Sequence, residues 1–207
     1  AHQGGEFLFA SEVRALLEAG VPRQTSTAAI SEFMRRGKNE PGTTTMIQGV
    51  SALAPGHMLT IDSDLKVVES EYWGESQLFG ASVPGEYEDA VSAFGDLLES
   101  AIDLRMHADV PIGVCLSGGL DSSLITAIAA GGQSDPVHTF SGVAPGWQGD
   151  ESKFSRAVSS MHRTVHTEIE LNFDDFVAAI PRYVQAQEMP AGGVSPVARM
   201  LVLERAG

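Results

Sequence analysis

The sequence predicts an α/β protein in two parts: an α+β part over residues 1–75, and a parallel-sheet part over residues 86–207. Strand-like segments in the first part are separated only by turns, at Pro55-Gly56 and Asp62–Asp64, which favours antiparallel pairing. Strand-like segments in the second part alternate with helical ones, which favours a parallel sheet built of right-handed crossovers. Residues 76–85 lack periodicity and are predicted to form a linker.

The first part is predicted to contain two helices and several strands. Residues 6–20 begin as a short strand and continue as a helix, with Ser11 as N-cap and Gly20 as stop. A second helix is expected over 26–37, capped by Ser26 or Thr27 and followed by Gly37. Three further segments are predicted as strands: 43–50, 57–62 and 66–73.

The second part opens with a predicted helix over residues 87–107. Its apolar residues recur at helical spacing: Val91, Phe94, Leu97, Leu98 and Ile102. The elements predicted after it are strand 110–116, helix 122–130, strand 136–143, helix 150–161, strand 165–170 and helix 173–186.

Composition excludes several classes of function. The formal net charge of -14 opposes binding to nucleic acid or to an anionic membrane surface. One cysteine permits no intrachain disulfide, which predicts a cytoplasmic protein, and no apolar run is long enough to span a bilayer. The chain starts at Ala1-His2 and stops in or near a helix, so we expect a fragment of a longer protein.

The stretch VCLSGGLDSSLITAIAA, residues 114–130, joins an apolar strand, predicted to be buried, to an apolar helix. Ligands of parallel sheets lie at the carboxyl ends of strands, and the free amides and dipole of the next helix favour an anion there. We expect glycines to let the backbone approach the anion and hydroxyls to add donors. The expected pocket for phosphate or pyrophosphate involves Ser117, Gly118, Gly119, Ser122 and Ser123.

Asp121 is the discriminating residue of this loop. A carboxylate beside a phosphate is repulsive unless a cation bridges the two, which favours Mg²⁺ at Asp121. The alternative is that Asp121 only caps the helix. The loop lacks the lysine of a Walker A motif and lacks the GxGxxG pattern.

SGGLDSS resembles the pyrophosphate-binding loop of ATP-pyrophosphatases. Further segments resemble glutamine-dependent asparagine synthetase: FLFASEVRALL, GVSALAPGHML, DVPIGVCLSGGLDSSLI, HTFSG, DESKFSRAV and HTEI. The resemblance covers nearly the whole chain. It implies the end of an N-terminal-nucleophile glutaminase domain over residues 1–75, and the first part of an ATP-pyrophosphatase domain over residues 86–207.

The resemblance implies an amide-forming ligase that adenylates aspartate with Mg-ATP and lets ammonia, from glutamine, displace AMP. The implied partners are small molecules, and a homodimer is an open possibility. Asp121 would be catalytic and would lie by the Mg²⁺. The residues implied to hold ATP are Leu116, Ser117, Gly118, Gly119, Leu120, Asp121, Ser122, Ser123 and Gly142.

Several positions depart from the family pattern. Glu188 and Met189 stand where an Asp-Glu pair is usual, and Gly142 stands where a branched apolar residue is frequent. The second nucleotide motif, LSGxGxDE, does not occur. Ala1 is not the N-terminal cysteine a glutaminase needs, and Cys115 is expected to be a core residue, so the chain as printed should not hydrolyse glutamine.

Three other readings therefore stay open. A divergent relative, of the β-lactam synthetase or peptide-cyclising type, would activate another carboxylate. A truncated nucleotide-binding module would turn nothing over. A tRNA-modifying enzyme would share the loop, but the net charge of -14 opposes it.

Asp150-Glu151 could cap a helix or lie near the site, whereas His57 and His166 are expected to be structural.

Overall fold

The computed structural model describes residues 1–3, 5–37, 43–75, 77 and 85–207. The chain divides into two compact units: unit 1, Ala1–Ser82 with Pro181–Gly192, and unit 2, Val83–Ile180 with Gly193–Gly207. The predicted linker, residues 76–85, lies outside the described residues apart from residues 77 and 85. No helix in the described part of the chain has both the length and the apolar character needed to cross a membrane.

Unit 1 combines short antiparallel strands with two helices. Its elements are β1 (His2–Gln3), β2 (Glu6–Phe7), α1 (Val13–Glu18), α2 (Thr27–Arg36), β3 (His57–Ile61) and β4 (Val67–Glu71). β1 pairs with β2, and β3 pairs with β4 from His57 opposite Glu71 to Ile61 opposite Val67. The buried core of this unit is formed by Leu16, Val21 and Val50.

The predicted caps of α2 are confirmed. The Ser26 hydroxyl accepts the Ala29 amide at 3.2 Å, and Gly37 ends the helix with a φ of 67°. The helix α1 and its end before Gly20, which has a φ of 99°, are confirmed, but the predicted N-cap is wrong because Glu12 rather than Ser11 occupies that position.

The strand predicted over 43–50 is also wrong. In the described part of this segment, the only β pairing is at isolated bridges, Thr25 with Ile47 and Thr44 with Ser51. The Thr45 hydroxyl lies 3.0 Å from the Ile47 carbonyl and 2.7 Å from the Val50 carbonyl, so the side chain holds the backbone in a turn instead of a strand.

Unit 2 alternates strands and helices. Its elements are α3 (Tyr87–Asp103), β5 (Gly113–Cys115), α4 (Leu120–Gly132), β6 (His138–Val143), α5 (Ser152–His162), β7 (Val165–Glu170), α6 (Phe173–Gln187) and α7 (Val194–Ala206). The residues of α6 from Pro181 onward belong to unit 1. The strands form a parallel sheet in the order β5-β6-β7. The α/β fold class predicted from the sequence is confirmed.

The centre of this sheet is β6, whose residues Thr139, Ser141 and Val143 are buried on one face. The prediction that residues 110–116 form a buried strand is wrong, because β5 has three residues and only Leu116, just after it, is fully buried. Cys115 is exposed and is not the core residue expected from the sequence. The reason is its place on an edge strand, which among the described residues has a neighbour on one side only.

The apolar face predicted for α3 is only partly covered. Ile102 is buried, but the side chains of Val91, Phe94 and Leu97 are exposed by about half or more. The periodicity therefore predicts the helix correctly, but it does not predict how far each of its apolar side chains is buried.

Candidate functional site

The turn after β5 begins at the carboxyl edge of the sheet. The Leu116 amide donates to the Phe140 carbonyl of β6 at 2.8 Å, and the Leu116 side chain is buried. The buried Ser141 hydroxyl donates to the Leu116 carbonyl. These two bonds hold the start of the turn against the last residues of β6, so both strand ends lie at one edge.

Two serine hydroxyls of the turn bond to each other rather than pointing outward. The Ser117 and Ser122 oxygens lie 2.9 Å apart, and the Ser122 hydroxyl donates to the Gly119 carbonyl at 3.2 Å. Each hydroxyl has one proton, so Ser117 must donate to Ser122. The Gly119 amide in turn donates to the Ser117 oxygen at 3.2 Å. Two of the three hydroxyls predicted to bind an anion, those of Ser117 and Ser122, therefore brace the turn in this structure.

The open donors are the first amides of α4. The helix begins at Leu120, and its first regular bond runs from the Ser123 amide to the Gly119 carbonyl at 3.0 Å. The amides of Leu120, Asp121 and Ser122 have no acceptor in the part of the chain that the structure describes. Because a helix N-terminus carries partial positive charge, these three amides form a place for an anion.

Gly118 is required for a reason that the sequence did not reveal. Its φ is +84°, a conformation that favours glycine, and a Cβ atom there would lie 2.6 Å from the Phe154 Cβ and 2.6 Å from the Ser155 amide nitrogen. The turn thus rests on the first turn of α5. The sequence prediction assigned Gly118 to ligand approach, whereas packing against α5 already demands it.

This packing brings the DESKFSRAV segment to the turn. Ser155 is buried, and its small side chain lets α5 lie close to the turn. Phe154 and Ser155 therefore lie against the predicted phosphate-binding turn, although the sequence analysis did not single them out. The sequence carries one signal for this contact: a small residue, Ser155, stands in the first turn of the helix that follows the neighbouring strand.

Gly119 and Gly142 differ in their surroundings. A Cβ atom at Gly119 would meet only the Ser117 hydroxyl oxygen, at 3.3 Å, so a glycine there leaves room on the outer side of the turn. At Gly142 a Cβ atom would lie 2.7 Å from Leu171 Cδ1 and 3.1 Å from Val202 Cγ2. Neighbouring side chains thus fill the space that a branched residue would need at Gly142.

Asp121 lies in the first turn of α4 and is exposed. Gly119 holds the N-cap position, and the Asp121 carboxylate makes no hydrogen bond to any described residue. The structure thus gives no support to the alternative that Asp121 caps the helix. Its carboxylate is an oxygen ligand of the kind that Mg²⁺ prefers, next to amides that favour an anion.

Asp150, by contrast, acts as a cap. Its carboxylate accepts the Ser152 amide and the Ser152 hydroxyl, each at 3.1 Å, in front of α5. The Ser152 amide is the main cause that lowers the pKa of Asp150 below its ordinary value. Of the two roles left open for Asp150-Glu151, the structure supports capping for Asp150, whereas Glu151 holds the N-cap position without a side-chain bond to the helix amides.

His166 has the structural place that the sequence predicts, at the start of β7. Its Nδ1 lies 2.9 Å from the Thr139 hydroxyl, which lies 2.9 Å from the Thr164 hydroxyl. Thr164 donates its proton to Ser159, so Thr139 donates to Thr164 and Nδ1 of His166 is the donor to Thr139. Burial lowers the pKa of His166. The His166 ring and its threonine partners lie at the amino-terminal end of the strands, away from the Ser117–Ser122 turn.

A bidentate ion pair lies next to His166. Arg156 Nε and Nη2 donate to the two oxygens of Glu168, at 2.5 and 2.9 Å. The hydrogen bond from Arg156 holds the pKa of Glu168 below its ordinary value. This arginine is therefore engaged within unit 2.

Glu188 belongs to unit 1 and contacts α1. Its carboxylate oxygens accept the Val13 amide at 2.5 Å and the Arg14 amide at 2.6 Å. Its backbone has a φ of 55°, which is uncommon for a residue with a side chain. The acidic group at this departure from the family pattern is thus bound to the protein's own backbone.

Residues 93–207 match the family model for asparagine synthase. The chain belongs to the asparagine synthase family. Residues 1–73 match a glutamine amidotransferase domain, so the predicted order of a glutaminase-type part and a synthase-type part is confirmed. The boundaries 1–75 and 86–207 stay predictions.

The chain is similar to asparagine synthetase (glutamine-hydrolysing) 3 of Bacillus subtilis. The two are 35% identical over 147 residues, which are 67% of this chain and 23% of the relative. A putative asparagine synthetase (glutamine-hydrolysing) 2 of Methanocaldococcus jannaschii is 26% identical over 198 residues, 93% of this chain and 37% of the relative. The amidase chry2 of Gibberella zeae is 29% identical over 131 residues, 62% of this chain and 19% of the relative. The chain thus spans well under half the length of each of these relatives.

Proposed function

We propose that this chain supplies the nucleotide-binding turn of an ATP-dependent ligase that converts aspartate to asparagine through β-aspartyl-AMP. Glutamine is the proposed source of the ammonia, and the cytoplasm is the proposed location. The proposal combines the family of the chain with one structural observation: three open amides at the start of α4 directly follow a turn that the Ser117 and Ser122 hydroxyls brace.

The amides of Leu120, Asp121 and Ser122 would receive phosphate oxygens of ATP. They are preorganised because the turn is fixed by Ser117 from within and by α5 from behind. Fixed donors that need no rearrangement are the most effective way for a protein to stabilise charge that builds up on phosphate oxygens. Donors of this kind support transfer of AMP to a carboxylate, since the pyrophosphate that departs gains charge.

Asp121 fits the Mg²⁺ that such a reaction needs. Its carboxylate is exposed and makes no hydrogen bond to the described residues. Mg²⁺ binds through one or two carboxylates together with substrate phosphates, and it supplies neutralisation of phosphate charge. Asp121 would hold that ion and thereby relieve its own repulsion of the phosphates.

Gly142 would contact the adenine of ATP, and it would do so through its backbone. It lies in β6 beyond the level of Leu116, at the same edge of the sheet as the turn. The Leu171 and Val202 side chains occupy the space where a Cβ atom would project. The proposed contact with adenine is therefore a backbone contact.

A second candidate is a relative that activates a carboxylate other than aspartate. One observation favours it: Glu188, at the position where an acidic pair is usual, binds the amides of Val13 and Arg14, and the next residue is Met189. An amidase is among the relatives. Under this candidate the turn keeps its role and only the acceptor changes.

The test is carboxylate-dependent exchange of pyrophosphate into ATP by the full-length protein. Asp121→Asn removes the charge and keeps the shape, so we expect exchange to fall by at least about 100-fold while circular dichroism stays unchanged. Asp135→Asn is the matched control, since Asp135 is an exposed carboxylate between α4 and β6, at the other end of the strands.

Full exchange in Asp121→Asn would remove this residue from the mechanism. Exchange that needs aspartate supports asparagine formation. Exchange that needs another carboxylate supports the second candidate, and the absence of any exchange contradicts both.

A further inference from the structure

The proposed nucleotide site is short of positive charge. The turn itself offers uncharged donors, and the first turn of α4 adds an acidic residue, Asp121. Magnesium would pair with carboxylates there, but the phosphates of ATP carry more negative charge than one ion neutralises. The net charge of -14 adds to the repulsion of a triphosphate. A side-chain cation near the turn would therefore strengthen binding.

The first turn of α5 is where such a cation is found. The Phe154 Cβ and the Ser155 amide nitrogen lie so close to Gly118 that a Cβ atom could not fit between them. Lys153 is the residue just before Phe154, and its Nζ lies 4.7 Å from the centre of the Phe154 ring. The ammonium group is thus held on the ring of a residue that packs directly against the turn.

Lys153 is available for an anion, unlike its neighbour. Among the described residues its ammonium group has no carboxylate partner, and it lies over the ring of Phe154. Arg156 is bound by both oxygens of Glu168. A contact with an exposed aromatic ring is a weak interaction, so a phosphate competes with it readily. The long lysine stem allows the ammonium to move without moving α5.

We propose that Lys153 binds the phosphates of the nucleotide held at the Ser117–Ser122 turn. This inference rests on the proposed function, because it needs a nucleotide at the turn. Phe154 has two roles: its Cβ supports Gly118, and its ring holds the ammonium beside the site before the nucleotide arrives. Lys153 is a binding residue in this account and takes part in no proton transfer.

The test is equilibrium dialysis of the full-length protein with ATP, inorganic pyrophosphate and adenosine, each with Mg²⁺ present. Lys153→Gln removes the charge and retains the stem, so we expect about tenfold weaker binding of ATP and of pyrophosphate. Adenosine binding should not change, because adenosine has no phosphate. Lys153→Arg should restore binding to within about threefold of the original, and raising the salt concentration should weaken the original chain more than Lys153→Gln.

Lys66→Gln is the matched control. Lys66 is an exposed lysine in the turn between β3 and β4 of unit 1, and its loss changes the net charge equally. An effect of overall charge would appear in both variants, whereas a direct contact appears only in Lys153→Gln.

The outcomes separate the two proposals. Unchanged ATP and pyrophosphate binding in Lys153→Gln overturns the role of Lys153 while the nucleotide site stands. An equal loss of adenosine binding would mean that the substitution disturbs the fold, and it would also overturn the role. If the original chain binds neither ATP nor pyrophosphate, the proposed nucleotide site fails and the role of Lys153 fails with it.

Discussion

The contact between Gly118 and α5 predicts a large loss of stability in Gly118→Ala. An alanine with a φ of +84° pays the left-handed conformational cost of ~1–2 kcal/mol. Its Cβ would also lie 2.6 Å from the Phe154 Cβ and from a backbone nitrogen, neither of which can rotate away. Overpacking of this kind costs ~1–3 kcal/mol. We therefore expect a loss of about 2–5 kcal/mol in the free energy of unfolding.

Gly119→Ala is the matched control, one residue along the same turn. The φ of Gly119 is −69°, and a Cβ atom would meet only the Ser117 oxygen, at 3.3 Å. We expect a change below about 1 kcal/mol, since alanine adopts this conformation without strain. The contrast between the two glycines isolates the contact with α5 from any general effect of adding a methyl group to the turn.

The assay is urea unfolding followed by tryptophan fluorescence. The chain has two tryptophans, so Trp73→Phe leaves Trp147, in the segment between β6 and α5, as the reporter of unit 2. Both glycine variants are compared in this background, which avoids mixing the transitions of the two units. The reasoning is refuted if Gly118→Ala and Gly119→Ala differ by less than about 1 kcal/mol.

Two further predictions concern His166 and Glu188. Burial lowers the pKa of His166 in the folded chain, so the unfolded chain binds more protons than the folded chain once pH falls below about 6.5, and the free energy of unfolding declines there. His166→Asn should reduce this decline, measured as urea midpoints between pH 7 and 5. An unchanged dependence of the midpoint on pH would contradict the prediction. Glu188→Gln replaces the carboxylate that accepts the Val13 and Arg14 amides by a weaker acceptor. We expect faster amide hydrogen exchange at these two residues and unchanged exchange in α2. Unchanged exchange at Val13 and Arg14 would count against the contact.

Most elements of unit 2, apart from β5 and α7, could be predicted from local pattern alone. Residues 165–170 alternate β-branched side chains with ionisable ones, and β7 has those bounds. The cap at Ser26 could also be predicted, because it acts over three residues of the same helix. Predictions of this kind succeed where the physical cause lies within a few residues of its effect.

The features that could not be predicted share a different cause, which is contact between residues that are far apart in the sequence. The start of α1 depends on Glu188, which is 175 residues from Val13. The need for glycine at position 118 depends on Phe154 and Ser155. The exposure of Cys115 depends on which strands pair with β5, a property of topology and not of the VPIGVCL pattern.

The central claim, that the first amides of α4 bind phosphate, is tested most directly by titrating the isotopically labelled chain with magnesium pyrophosphate in amide-resolved NMR. The account predicts saturable shifts that are largest at Leu120, Asp121 and Ser122, whose amides are open in the described structure. Smaller shifts are expected at Gly119, whose amide is already bound by Ser117. Saturable shifts located elsewhere, or none at these three amides, would contradict the account.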